Sequence, residues 1–169
     1  KGDSFISKVC DLWEDASLDA QKAGIRTIQL RTGVVLTPAG GALARMEIPF
    51  KLGCGVKLSH GRQYMSWISM DDALSGILHI LNNNKIKGAV NLVAPNPVTN
   101  KEFSNTLAQV FSKKVYFTMP KFLALLLWGQ MGKETLLASA RVEPEKLMEN
   151  GFSFQHTELF KALKDVLGR

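Results

Sequence analysis

The sequence predicts an α/β chain, the later part of a doubly wound sheet followed by a small, mostly helical subdomain. Three observations predict it. A helical stretch over residues 5–23 passes through Gly24 into a β-rich run, Ile25 to Leu36, a helix–turn–strand unit suited to a parallel sheet. A second helix at 71–81 leads to a short apolar strand at 89–93. From Val115 onward one short strand gives way to helical stretches near 120–128, 133–140, 144–150 and 157–167. The division falls at 114/115, with the sheet-bearing part before it and the helical tail after it.

Each element has its local reason. Phe5, Val9, Leu12, Trp13, Ala16 and Ala20 recur at helical spacing, and Gly24 is a stop. Thr37-Pro38 ends the following strand. Gly40-Gly41 introduces a short apolar helix, Ala42 to Phe50. Residues 53–70 are Gly-rich and irregular, with extended pieces at Val56 to Leu58 and Tyr64 to Ile68. The helix that opens at Asp71-Asp72 is expected to bury Ala73, Leu74, Ile77, Leu78 and Leu81. Asn82-Asn83-Asn84 is a turn, and Ala89 to Val93 a buried strand. Thr99 and Glu102 have capping-box spacing ahead of a helix with Phe103, Leu107, Val110 and Phe111 on its apolar face. In the tail, Pro144 suits a first helical turn and Gly151 a C-terminal cap.

Composition narrows the function classes. The formal charge is +6, but the basic residues are spread along the chain, with Lys85/Lys87 and Lys113/Lys114 as the densest groups. That spread argues against a nucleic-acid surface. The apolar run from Phe122 to Trp128 falls far short of the roughly 20 residues that span a bilayer, so no membrane is expected. Cys10 and Cys54 lack metal-type spacing, and three dispersed histidines add no metal site. A reducing cytoplasm is the expected location.

A dinucleotide site needs a strand, a Gly-rich turn and a helix whose amides meet the pyrophosphate. Gly53-Cys54-Gly55 has two of the three glycines, but Leu58 stands in the third place. Gly129-Gln130-Met131-Gly132 lies between helical stretches. The chain opens on Lys1 with helix from residue 5 and nothing resembling a first strand before it, which predicts a cut inside a longer protein.

Three stretches carry a resemblance. Arg31-Thr32-Gly33-Val34-Val35-Leu36 resembles the strand and loop after the catalytic helix of extended short-chain dehydrogenases/reductases. Trp67-Ile68-Ser69-Met70-Asp71-Asp72-Ala73 resembles their aromatic-Ile-His-x-x-Asp turn, with Ser69 in the histidine's place. Ala89 to Thr99 resembles their late Asn-containing strand and following loop. Gly61-Arg62-Gln63-Tyr64-Met65-Ser66-Trp67-Ile68, Leu136 to Pro144 and Gly151-Phe152-Ser153-Phe154 narrow it to that superfamily's atypical epimerase/dehydratase-like proteins. These are often labelled nucleoside-diphosphate-sugar epimerases, some with a cell-division-inhibitor name, and their tail is a domain of unknown function.

The resemblance implies the C-terminal half of a Rossmann-like fold, with NAD or NADP in the full-length protein and none on this chain alone. Implied partners are the N-terminal half of the same protein, a small polar, sugar-nucleotide-like substrate and a second copy in a homodimer. The alternative is a non-catalytic NAD(P)-binding sensor or regulatory protein. The superfamily's Tyr-x-x-x-Lys pair would fall at Ser4 and Lys8, so Lys8 is the catalytic candidate without its tyrosine; the plain reading is a lysine on an exposed helix face. Arg31, near a strand's C-terminal end, is a cofactor-side residue or a structural ion pair. By resemblance Gly33 lets the backbone approach the nicotinamide, and His60, Arg62, Gln63 and Tyr64 border the substrate cleft, where Arg62 would clamp a phosphate or carboxylate. Asp71 and Asp72 read as helix N-cap and first-turn charge, His79 as a core-edge residue, and His156 as a loop residue. The spacings argue for no Ser-His-Asp arrangement.

Overall fold

The computed structural model describes residues 4–123, 126 and 138–169. The stretch expected to be one helix at 5–23 is two, α1 (Phe5–Asp15) and α2 (Leu18–Lys22). The Ser17 hydroxyl bonds back to the Glu14 carbonyl at 2.7 Å, a local alternative to the helix ladder at the break. The expected strand over 25–36 is also two, β1 (Ile28–Thr32) and β2 (Val34–Leu36).

Gly33 is the reason for the second division. Its N–H donates to the Leu92 carbonyl, while the next amide, Val34, donates to Ser66. The strand therefore changes partner at this residue. A Cβ on Gly33 would sit 2.6 Å from the Ser66 oxygen and 2.8 Å from Val93 Cγ1, so the crossing needs glycine for space.

The chain continues through α3 (Gly41–Lys51), β3 (Gly55–Leu58), β4 (Tyr64–Met65), β5 (Trp67–Ser69), α4 (Met70–Asn82), β6 (Gly88–Leu92), β7 (Val98–Thr99), α5 (Asn100–Val110) and β8 (Val115–Met119). Two helices, α6 (Glu145–Glu149) and α7 (Leu159–Val166), follow in the tail. Pairs β1–β6, β2–β5 and β3–β8 are parallel, and the short β4–β7 pair is antiparallel. Parallel pairing by strands distant in sequence is the doubly wound pattern that was expected.

Two core clusters fill the layers. Leu36, Leu43, Phe50, Trp67, Phe103, Leu107 and Leu163 belong to one. Ile68, Ala73, Ile80, Val90, Leu92 and Leu147 belong to the other. The apolar face expected for α5 is buried throughout, whereas that expected for α4 is not. Leu74, Leu78 and Leu81 are 55%, 60% and 58% exposed, whereas Ala73 is buried as expected, Ile77 is half-buried, and Gly76 and Ile80 are buried besides. Small residues let α4 lie close to the strands, since a Cβ on Gly76 would come within 2.8 Å of Leu92 Cδ1. The larger leucines are thereby turned outward. On α1 no residue is buried, and Phe5, Leu12 and Trp13 are exposed.

The two edges of the β1–β6 pair differ. On β6, the Lys146 ammonium donates to the Lys87 and Ala89 carbonyls at 3.0 and 2.8 Å, and Asn91 Nδ2 reaches the Glu143 carbonyl at 3.1 Å. A side chain thus occupies that edge, as edge strands commonly require. On β1, Thr27 O and Gly33 N face β6, so by alternation the backbone groups of Ile28, Leu30 and Thr32 face the other way. Among the described residues no strand pairs with them.

In the tail, Pro144 is the N-cap of α6 rather than its first turn, and Gly151 (φ 79°) follows its end. Of the helical stretches expected at 120–128 and 133–140, residues 121–123 and 126 are described and helical, residues 138–140 are described and not helical, and 124–125, 127–128 and 133–137 fall outside the described residues. Gly129 to Gly132 and Trp128 also lie outside them. No described helix is long and apolar enough to cross a membrane.

Candidate functional site

Helix α1 runs antiparallel to β1, because Ser17 bonds Gln29 while the earlier Glu14 bonds the later Arg31. Its first turns therefore reach past the C-terminal end of β1, where open α/β sheets hold ligands. Lys8 lies six residues before Glu14, or about 9 Å along the helix at 1.5 Å per residue. It is exposed, and no described residue pairs with its ammonium. Ser4, in the place of the superfamily's tyrosine, is the N-cap. Its Oγ accepts from the Ser7 amide at 3.1 Å and lies 2.9 Å from Ser7 Oγ.

Both expected cofactor-side residues have internal partners. Arg31 makes a bidentate pair with Glu14, at 2.7 and 2.8 Å. The hydrogen bond to Glu14 and that carboxylate's charge hold the Arg31 guanidinium above its ordinary range. Of its two readings, the ion pair is therefore present. Gly33 is occupied with the close crossing of Ser66 and Val93.

The loop before β4 is held from the start of α5. Asn100 Oδ1 accepts from the Leu58 amide at 2.9 Å, Asn100 N donates to Gln63 O, and Lys101 N donates to Gly61 O. The α5 start is fixed by its capping box, Thr99 with Glu102. Hydrogen bonds from the Thr99 backbone and hydroxyl lower the Glu102 carboxyl below its usual range. On this support Arg62 is exposed and its guanidinium has no described partner. His60 is exposed, and its Nδ1 accepts from the Arg62 amide at 3.0 Å, which leaves Nε2 as the outward donor. Gln63 points inward: it is 4% exposed and Nε2 donates to Leu58 O at 3.2 Å, so its side chain braces the loop instead of reaching into a cleft. Its Oε1 is buried without a partner among the described residues.

Tyr64 is half-buried beside the tail. Its amide donates to Ser139 Oγ at 3.0 Å, its carbonyl accepts from Ala140 N at 3.2 Å, and Arg141 Cζ lies 5.4 Å from its ring centroid. Lys8, His60, Arg62 and Arg141 are thus exposed nitrogen donors, the chemistry that binds anions and hydroxyls. Spacing gave no signal for Arg141, because 77 residues separate it from Tyr64.

A second group was not legible either. Ser69, not an aspartate, is the N-cap of α4. Asp72 is fully buried, with Oδ1 accepting from Gln155 N at 2.7 Å and Oδ2 from His156 N and Ser69 Oγ, both at 2.9 Å. The His156 ring bridges Ser69 Oγ at 3.1 Å and Asp165 Oδ2 at 3.0 Å. The structure therefore does assemble a serine, a histidine and aspartates, a grouping that the spacings gave no ground to argue. Ser69 is 0% exposed, so no substrate reaches its hydroxyl. His79 stands at the core edge as expected, with Nε2 3.1 Å from Asn150 O and its ring against Phe152. Among the described residues no His/Cys/Asp/Glu group could hold a metal.

Comparison with known proteins places this geometry. A domain of unknown function (DUF1731) matches residues 119–166. An epimerase family protein of Mycobacterium bovis is 38% identical over 162 residues, covering 96% of this chain and 54% of the relative. A human epimerase family protein (isoform 2), solved with NADPH, superposes with TM-score 0.81 at 31% identity, over 86% of this chain and 49% of that one. Together these matches support an atypical, epimerase-like family of the short-chain dehydrogenases/reductases. A nucleoside-diphosphate sugar epimerase from Corynebacterium glutamicum gives TM-score 0.79 at 32% identity, over 99% of this chain and 32% of that one. This chain spans about half the length of the curated relatives it matches.

Proposed function

We propose that this chain is the substrate-side portion of an NAD(P)-dependent, epimerase-like oxidoreductase whose dinucleotide is gripped by a preceding half. The observation that carries the reading is an edge of β1 that no strand among the described residues pairs, beside an occupied edge of β6. A sheet open on one side calls for further strands there, and a complementary half would supply them together with a Gly-rich phosphate turn. Among the described residues, Gly55 does not fit that turn: a Cβ there would meet Lys114 O at 2.6 Å, so this glycine is used for close packing against the start of β8.

In the complete protein NAD(P) supplies hydride transfer. The residues of this chain bind and orient: Lys8 donates to hydroxyls above the strand ends, Arg62 and His60 hold the polar or anionic end of a small, sugar-nucleotide-like substrate, and the tail closes that side. The division at 114/115 then separates a sheet-bearing part from a cleft-lining tail. The NADPH complex of the human relative supports the cofactor class. Two free, exposed cysteines suit a reducing compartment, and the exposed face of α1 suits a second copy.

A second reading has its own observation. Ser4 stands where a tyrosine would give or take the proton, and its hydroxyl is committed to capping α1. An aliphatic hydroxyl is a far weaker acid than a phenol. That favours a protein that binds the dinucleotide without turnover and signals through its tail. Calorimetric titration of the full-length protein with NADPH and NADH tests what both readings share. Saturable heat with at least one is expected, and none with either removes both. Oxidation of bound NADPH by a carbonyl substrate would then select the enzyme over the sensor.

A further inference from the structure

We propose that the uncovered flank of α4 is the seat of a helix from the preceding half of the same protein, lying alongside α4 over the strand which that half adds at β1. The proposal rests on the two-half reading above and adds to it a face, an element and its anchoring side chains. Three sides of α4 are accounted for. Ala73 and Ile80, with Ile77 beside them, meet the sheet in the core cluster of Val90 and Leu92. Asp72 and His79 meet the tail: Asp72 accepts from the Gln155 and His156 amides, and the His79 ring lies 5.4 Å from that of Phe152. Asp71 and Asn82 are exposed polar residues on the outward side. The fourth side carries Met70, Leu74, Leu78 and Leu81, all exposed. At about 100° per residue these four fall within about 80° of the helix circumference, on the side away from the tail.

That flank points toward the open edge of the sheet. The tail stands beyond β6, where Lys146 bonds the Lys87 and Ala89 carbonyls, so the opposite flank of α4 faces β1. Leu30 of β1 lies on the same face of the sheet. Its neighbours Gln29 and Arg31 bond α1 on the other face, and Ile28, two residues before it, packs against the α4 cluster. Leu30 is nevertheless exposed. Between strand and helix runs a groove with Thr32, Val35 and Leu92 in its floor and Leu74 and Ile77 in its wall. Packed helices stand about 8–10 Å apart and strands about 4.8 Å, so a helix seated beside α4 lies two strand positions further along the sheet. With α4 over β6 and β1, that position is just past β1, where an added strand forms its floor. Met70, Leu74 and Leu78 are spaced four apart, the ridge that a neighbouring helix takes into its groove. This chain covers 54% of the Mycobacterium bovis relative, so in that protein a further stretch of comparable length is there to supply both elements. The flank and the β1 edge are adjacent, and one strand-and-helix unit fills both.

Thiol alkylation tests this with neither dinucleotide nor substrate, so its outcome is independent of the calorimetry above. Leu74→Cys and Leu81→Cys place reporters on the flank about 10 Å apart along α4, and Asn82→Cys places one on the outward side. All three positions are exposed, so none of the changes disturbs the core of this chain. Iodoacetamide labelling is read by peptide mass spectrometry in the full-length protein and in this chain, the latter at a dilution where it sediments as a monomer. Both flank thiols are expected to react about ten-fold or more slowly in the full-length protein, and the Asn82→Cys thiol equally fast in both. Slowing at only one flank position would mean a loop contact instead of a helix and would overturn the proposal. Protection that disappears when the full-length protein is diluted would mean that a second copy covers the flank, and would also overturn it. So would equal labelling in the two proteins. Amide protection at Ile28, Leu30 and Thr32 then separates the causes: if present, the sheet is completed without a helix on α4, and if absent, the two-half reading fails as well.

Discussion

At the scale of single residues, the structure separates neighbours that the sequence makes look alike. Asp71 and Asp72 together read as helix N-cap and first-turn charge, yet Asp71 is exposed and Asp72 accepts three donors in the core. Asp72→Ala is expected to destabilise the chain by about 3 kcal/mol, because buried donors lose their acceptor, and Asp71→Ala by less than about 0.5. Urea unfolding of the two variants measures the contrast. Gly33→Ala forces a methyl against the Ser66 carbonyl and is expected to cost about 1–3 kcal/mol in the same assay. The resemblance located Gly33, but its steric reason depends on Ser66 and Val93, which no local pattern connects to it. Arg31 was legible as a two-way choice that only the distance to Glu14 could resolve.

Among the elements, those with a strong local signal were read best. The Thr99–Glu102 box and the α5 face of Phe103, Leu107, Val110 and Phe111 formed as expected, because spacing alone determines both. Helix α4 was placed correctly, but its buried face only in part. Hydrophobicity favoured its leucines, and the close approach allowed by Gly76 favoured the small side chains. The capping box carries a pH signature. Glu102 is lowered in the folded chain, so its contribution is present above the ordinary carboxylate range and is lost as pH falls through the lowered value. Acid unfolding of Glu102→Gln is expected to show a shallower loss of stability with falling pH than wild type. A parallel acid dependence in both would remove this assignment. Thr99→Ala, which removes the cap, is expected to cost about 1 kcal/mol and to loosen the Arg62 loop that α5 holds.

For the molecule as a whole, the sequence showed the fold class and its relatives, and the structure showed where the sheet remains open. Beside the β1 edge, the side chains of Leu30, Leu74, Leu78, Phe5 and Trp13 are exposed large hydrophobics. The chain alone is therefore expected to self-associate in sedimentation experiments at concentrations where the full-length protein has one defined size. The contact of Tyr64 with Ser139 and that of Asp72 with Gln155 and His156 were hidden because both join residues more than 70 positions apart. The most direct measurement is amide exchange at Ile28, Leu30 and Thr32, whose backbone groups face away from β6, in this chain and in the full-length protein. Strong protection of all three in the full-length protein, with rapid exchange in the chain alone, is the expected result. Equally rapid exchange in both would mean that no strand is added beside β1, and the proposed completion of the sheet would be wrong.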